Sequence, residues 1–320
     1  MNAAAIPAWL SLPTLLFALI ASPTNMYAAD TPKVVVTIKP VHALVAGVME
    51  GVAVPELLLS GGGSPHAHAL KPSHARALQN ARVVVRVSES LEVFLNRPIA
   101  NLAKGAEVLN LDDAPGLTLH KPRNLNLRKR ADRRHDAHAD GTHDPHLWLD
   151  TANAQVLTRF IATGLSRAFP DQTAAFEANA ARLNTRLRAL DEELKAATAP
   201  LREKPYIVLH DAYRYFEERY GLRPAGWITA SAERLPGARR LLAIRQQIND
   251  AQAICVFTEP QFEPKLVLTL IEGTKARRGV LDPLGAELKP GVNLYFTLMR
   301  NLAAGLRECL APPAQNQKRR

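Results

Sequence analysis

Eight of the ten histidines in this chain fall between His66 and His146, a density that core packing does not call for. Neutral imidazole is a common ligand for divalent metals. Three contexts stand apart, each reading as a histidine that follows a strand. They are Ser60-Gly61-Gly62-Gly63-Ser64-Pro65-His66, Asp144-Pro145-His146-Leu147-Trp148-Leu149-Asp150 and Leu209-His210-Asp211-Ala212-Tyr213. A single histidine is more often an ordinary hydrogen-bonded residue; three in matched positions favour a metal. Phosphate binding does not fit the glycine run, which has neither a GxGxxG spacing nor a following lysine. Asp282, in Leu281-Asp282-Pro283, offers a fourth ligand or simply a turn. Glu259, Asp211 and Asp150 are placed to orient imidazoles by accepting their other N–H.

Strand-like and helix-like stretches alternate around these residues. Strands are expected at 34–38, 55–59, 82–87 and 107–111, with helices at 41–49, 72–81 and 91–103. This βα rhythm implies a parallel sheet covered on both faces. Residues 113–144 interrupt it with a polar, His- and Arg-rich stretch that reads as a solvated surface loop. A helical pattern then covers 151–169. A longer one covers 171–200, where Leu183, Leu187, Leu190 and Leu194 repeat at spacings of four, three and four. At 1.5 Å per residue this helix would be about 40 Å long, enough to run the length of two lobes. The rhythm returns with strands at 206–209, 227–229, 254–258 and 280–281, and helices at 212–220, 236–251, 264–272 and 292–310. The expected fold is α/β: two similar doubly wound lobes (30–170 and 201–312) joined by one long rigid helix. The ligand then lies in the cleft between them, since such sheets bind at strand carboxyl ends.

Composition narrows the setting. Net charge is +10, but the basic residues cluster at 121–134 and in a tail at 313–320, without aromatic interleaving, so no nucleic-acid partner is expected. Residues 1–29 read as an export signal, apolar from Pro7 to Ser22 and ending in small residues at Ala28 and Ala29. The apolar stretch is short for a membrane span and carries Pro13, and no cysteine lies near the cleavage site. A free, monomeric protein without a stable membrane anchor is expected. The two cysteines, Cys255 and Cys309, read as one disulfide if the chain is exported and as two buried thiols if it is not.

Five segments in order, GxSPHxHxLKPS, DPHLWLD, VLHDAYRYFE, CVFTEPQF and LDPLG, resemble those of the zinc-specific solute-binding proteins of ABC importers (cluster A-I). The resemblance runs from about Lys33 to Cys309. It implies His66, His146 and His210 as metal ligands, Asp282 at the family's fourth position, and a Cys255–Cys309 disulfide. It also implies two α/β lobes on a long helix, periplasmic location, and an ABC transporter permease as partner. Manganese-binding relatives carry a carboxylate at the third position; three imidazoles suit the softer Zn2+. Pro65 stands where some members carry Glu, which leaves Asp282 or water as the fourth ligand.

The loop departs from the family. Relatives often carry a long acidic His-rich segment here; in this chain it is short and mixed in charge, with His120, His135, His138 and His143 set among Arg and Lys. Fixed positive charge repels a cation, so at most weak auxiliary zinc binding is expected there. His68 reads as a neighbour of the metal, and His42 and His74 as surface or packing residues. The expected function is capture of Zn2+ and its delivery to an importer. The enzyme alternative, a zinc hydrolase, lacks an HExxH motif and has Glu259 as its only candidate base. An adhesion module is the other alternative.

Overall fold

The computed structural model describes Met1 and residues 33–61, 63–123, 143–229 and 236–311. The export signal, the basic tail, His135 and His138 lie outside these residues.

Two four-stranded sheets form, and every strand pairing among the described residues is parallel. The first contains β1 (Val34–Val36), β2 (Glu56–Leu57), β3 (Val83–Arg86) and β4 (Glu107–Asn110), in the order β2-β1-β3-β4. The second contains β5 (Tyr206–His210), β6 (Gly226–Thr229), β7 (Cys255–Thr258) and β8 (Arg277–Val280), in the order β6-β5-β7-β8. The two orders are equivalent. Each sheet therefore has one point, between β1 and β3 or between β5 and β7, where successive connections diverge and open a crevice at the strand carboxyl ends. The β-branched run of β1 and the valines of β3 are buried on both faces, as the inner strands of a covered parallel sheet must be.

Helices α1 (Lys39–Val48), α2 (Pro72–Asn80) and α3 (Asn96–Leu102) belong to the first lobe. Proline within the first two positions of α1 and α2 fits the start of a helix, where its missing N–H has no partner to lose. Helix α4 (Thr151–Ala168) is capped by Asp150, whose side chain accepts from the Ala152 amide at 2.7 Å. Helix α5 (Thr173–Thr198) then links the lobes, with Phe176, Leu183, Leu187, Leu190 and Leu194 buried along one face. Helices α6 (Arg214–Tyr220), α7 (Ala238–Asp250) and α8 (Lys265–Ile271) belong to the second lobe, and α9 (Leu294–Leu310) closes the chain.

Helix α5 packs against α1, α4 and α9, and α9 in turn packs on α1 and β8. One continuous apolar cluster results, running from Val34 and Leu44 in the first lobe to Phe257 and Tyr295 in the second. Smaller clusters cover the far face of each sheet. Close approach of α1 and α5 depends on Gly47, where a Cβ would fall 2.9 Å from a Leu183 methyl. Asp191, inside α5, accepts from Thr151 at 2.6 Å and from Arg219, tying α4 and α6 to the linking helix. Although burial opposes it, the hydrogen bonds from Arg219, Lys195 and Thr151 hold its carboxyl well below the usual range. A disulfide joins Cys255 in β7 to Cys309 in α9.

Several boundaries differ from the sequence reading. Strand β2 shortens to two residues at the sheet edge, and 91–103 divides into a 3-10 turn (Val93–Leu95) followed by α3. The last strand lies three residues earlier than expected. Arg277-Arg278-Gly279 carries no apolar signal, and a backbone ladder to β7 supplies the order instead. Of the two readings of His42 and His74, surface or packing, burial favours packing; His42 Nε2 lies 3.0 Å from the Pro55 carbonyl.

Candidate metal centre

His210 is the last residue of β5, at the carboxyl end of the second sheet beside the β5/β7 divergence point. The other two histidines do not directly follow strands, which corrects the sequence reading. His66 sits in a turn nine residues after β2, with Pro65 buried beneath it and its amide donating to the Ser64 hydroxyl at 3.3 Å. His146 follows the polar loop and enters a 3-10 turn, Leu147–Leu149. A strand carboxyl end is one way to aim a side chain into a crevice; a rigid turn is another.

The three imidazoles nevertheless converge. One nitrogen from each of His66, His146 and His210 lies within 4.8 Å of the others, and among the described residues no other set of three or more potential ligands does so. Ring centroids are 5.4 Å apart for His66 and His146, 5.3 Å for His146 and His210, and 6.1 Å for His66 and His210. His146 and His210 are buried and His66 is half-buried. Nε2 of His66 lies 3.3 Å from Nε2 of His146. Two imidazole lone pairs facing at that distance repel unless a proton or cation stands between them. Two nitrogens bound tetrahedrally at about 2.0–2.1 Å lie about 3.3 Å apart, so the spacing matches one edge of a zinc coordination sphere.

Buried carboxylates fix two of the rings. Nδ1 of His210 is 2.6 Å from Glu259 Oε1, and Nδ1 of His146 is 2.8 Å from Asp144 Oδ1, which also accepts the His146 amide at 3.0 Å. An ionised carboxylate only accepts, so each Nδ1 carries the hydrogen and each Nε2 keeps a lone pair for the cleft. The sequence reading includes Asp144 only as part of the His146 context and assigns it no orienting role. Its signal is its position two residues before His146, where Pro145 turns the chain so that one carboxylate reaches both amide and ring. Trp148, fully buried beside His146, ties the first lobe to the second by donating to the Pro283 carbonyl at 2.9 Å.

Other expected residues lie elsewhere. Asp282 is outside the converging set. Its Oδ1 accepts from the amides of Leu284 (3.0 Å) and Gly285 (2.9 Å) and from Gln261, and its Oδ2 from Ala286 at 2.6 Å. The turn it organises presents carbonyls to Lys39, whose Nζ donates to Ala286 at 2.5 Å and Leu288 at 3.1 Å. Burial lowers the pKa of Lys39, with the nearby Asp282 charge opposing. Asp211 turns its carboxylate to Arg123 instead of orienting an imidazole, and Asp150 is spent on capping α4. His68 stays apart, stacked on His74 with centroids 5.6 Å apart. His120 meets the Tyr215 ring, and His143 lies 3.4 Å from Asp112.

A family model described as zinc-uptake complex component A, periplasmic, matches residues 34–309. The chain is 45% identical over 311 residues to a high-affinity zinc uptake system protein of Brucella suis, covering 89% of this chain and 93% of that one. A solved ZnuA structure superposes with a TM-score of 0.74 at 23% identity, covering 88% of this chain and all of the other. The laminin-binding adhesin of Streptococcus agalactiae superposes with 0.72 at 23%, over 86% and 98%. At such identities the structural likeness shows the shared fold. The family match spans both lobes and all three converging histidines, and on that ground the chain belongs to the ZnuA family of periplasmic zinc-uptake components.

Proposed function

We propose that the protein captures a single Zn2+ through the Nε2 atoms of His66, His146 and His210 and passes it to the membrane permease of an ABC importer. The 3.3 Å approach of the His66 and His146 nitrogens carries this reading. Held by a hydrogen bond when one of the two nitrogens carries a proton, that spacing is also one edge of a tetrahedral ion's coordination sphere once both are bare. The fourth position goes to water, because the oxygens of Asp282 are engaged by backbone amides and Gln261. The ion is cargo rather than a catalyst. Glu259, the carboxylate best placed to act as a base, is bonded to His210. Export to the periplasm, a monomeric state and the lack of a membrane anchor belong to the same reading. Among the described residues, no helix is long and apolar enough to cross a membrane.

Imidazolium does not ligate, so affinity should fall as the solution is acidified. Titration of the purified, metal-free protein with Zn2+ at neutral pH tests the assignment. One equivalent should bind tightly to the wild type and none to His210→Ala. A stoichiometry unchanged in that variant counts against the site.

A further inference from the structure

The root of the His- and Arg-rich segment does not lie free on the surface. After β4 the chain is held at Thr118, whose amide and carbonyl both bond to the Asn153 side chain on α4 at 2.9 Å. It then reaches across to the second lobe. The His120 amide donates to the Tyr215 hydroxyl at 3.3 Å, and the Lys121 carbonyl accepts from Arg214, both on α6. Arg123 ends the run. Its Nε donates to the two oxygens of Asp211 at 2.9 and 3.1 Å, its Nη2 donates to Asp211 and, at 2.8 Å, to Glu217, and its guanidinium lies 4.9 Å from the Trp227 ring centre. The Arg123 side chain is 19% exposed and that of Glu217 only 3%. An ion pair this enclosed differs from a solvent-screened surface pair, and a planar guanidinium fixes carboxylate orientation in a way an ammonium does not.

We propose that Arg123 is a positioning residue for zinc retention: its fork on Asp211 fixes the turn that carries His210, and the strap His120–Arg123 holds the two lobes in register at the site. The inference rests on the reading of His66, His146 and His210 as zinc ligands. Asp211 directly follows His210, and the turn itself is closed by the Ala212 amide on the His210 carbonyl at 2.9 Å. The strap also reaches a second ligand. The His120 carbonyl accepts the Asp144 amide at 2.7 Å, and the Tyr215 hydroxyl donates to the Asp144 carbonyl at 2.8 Å. Asp144 is the residue whose carboxylate holds His146. One strap thus braces an imidazole of each lobe, and its loss frees both to leave the ion.

The full chain carrying Arg123→Met keeps an apolar stem against Trp227 and removes the fork. Zinc release to an excess of chelator should quicken about tenfold, the lower end of the effect of removing groups that orient metal ligands. The visible absorption of the Co2+-loaded protein should shift as well, which a mere loss of stability would not cause. Arg123→Lys should fall between, and binding should stay at one ion per chain. Arg300→Met, which removes an exposed pair with Glu193, should change neither readout. A release rate within twofold of wild type together with a superimposable Co2+ spectrum would overturn the proposal. If Arg123→Met fails to fold by circular dichroism, Asp211→Asn decides by the same two readouts, faster release supporting the proposal and unchanged release ending it. A wild-type chain that takes up no zinc would instead sink the ligand assignment, and the strap with it.

Discussion

Glu259 Oε1 lies 2.6 Å from His210 Nδ1, joining the residue that follows β7 to the residue that ends β5. The first lobe holds a counterpart at the same topological place. Thr37, just after β1, donates to Glu92 at 2.6 Å, and Glu92 also accepts the Val87 and Ser88 amides just after β3. Both divergence points are thus closed by a buried carboxylate, but only the second holds an imidazole. Equivalent sheets have been filled differently: one crevice is plugged by a carboxylate and its amides, and the other presents His210.

That pairing yields a prediction for Glu259. Glu259→Gln should weaken zinc binding by about ten- to a hundredfold, since an amide orients the His210 ring less strongly than a carboxylate and gives it less electron density. Competition titration against a chelator of known affinity measures this directly. Equal affinities for wild type and variant would remove Glu259 from the site. Asp144→Asn should act in the same direction on His146.

The fold was largely legible because its signals are local. Valine runs mark the buried strands, and leucines at helical spacing mark α5. The meeting of the three histidines was legible from their density and matched contexts, and from segments that resemble a family in order. What stayed hidden depends on partners far along the chain. Arg123 reads as one of a run of solvated charges, and only the meeting with Asp211 and Glu217, 88 and 94 residues away, buries it. For Asp282 the sequence leaves ligand or turn open, because a carboxylate at a strand end suits a metal as well as a turn. The three amides at 284–286 that it accepts are announced by no periodicity. Strand β8 carries arginines where an apolar run was sought.

The role of Asp282 separates structure from binding. Asp282→Ala leaves the Leu284, Gly285 and Ala286 amides without their acceptor and loosens the turn whose carbonyls hold Lys39. A loss of about 1–3 kcal/mol in stability is expected, as for other unsatisfied buried groups. Zinc should still bind at one per chain with affinity within a few-fold of wild type. Denaturant unfolding and zinc titration of the same sample make the comparison. A complete loss of zinc with unchanged stability would restore Asp282 as a ligand.

The disulfide should matter for stability and little for zinc. Cys255 and Cys309 are 54 residues apart, and closing a loop of that size stabilises the native state by about 4 kcal/mol on the chain-entropy model. Reduction, or the double Cys→Ser variant, should therefore lower the urea midpoint clearly. Because β7 also leads to Glu259, a small weakening of zinc affinity is tolerable; loss of more than about tenfold would mean that the bridge holds the site as well as the fold.

The Arg123 cluster should also leave a mark on pH dependence. Glu217 is buried, and its desolvation outweighs the attraction of Arg123, so its carboxyl is pushed up to about 7 against an ordinary 4.5. A carboxyl whose folded pKa exceeds its unfolded one binds more protons in the native state between those two values. Stability then falls as pH rises from about 4.5 through 7, and the loss is complete above about pH 8. The span corresponds to roughly 3 kcal/mol as an upper bound. Glu217→Gln cannot ionise, so its stability should not show this decline, although it keeps an acceptor for the Tyr206 hydroxyl that Glu217 now holds at 3.1 Å. Urea unfolding of the metal-free wild type and variant at pH 5 and pH 8 gives the test. Stability curves that run parallel across this range would show that Glu217 is ionised in the fold at pH 5, with Arg123 winning over burial.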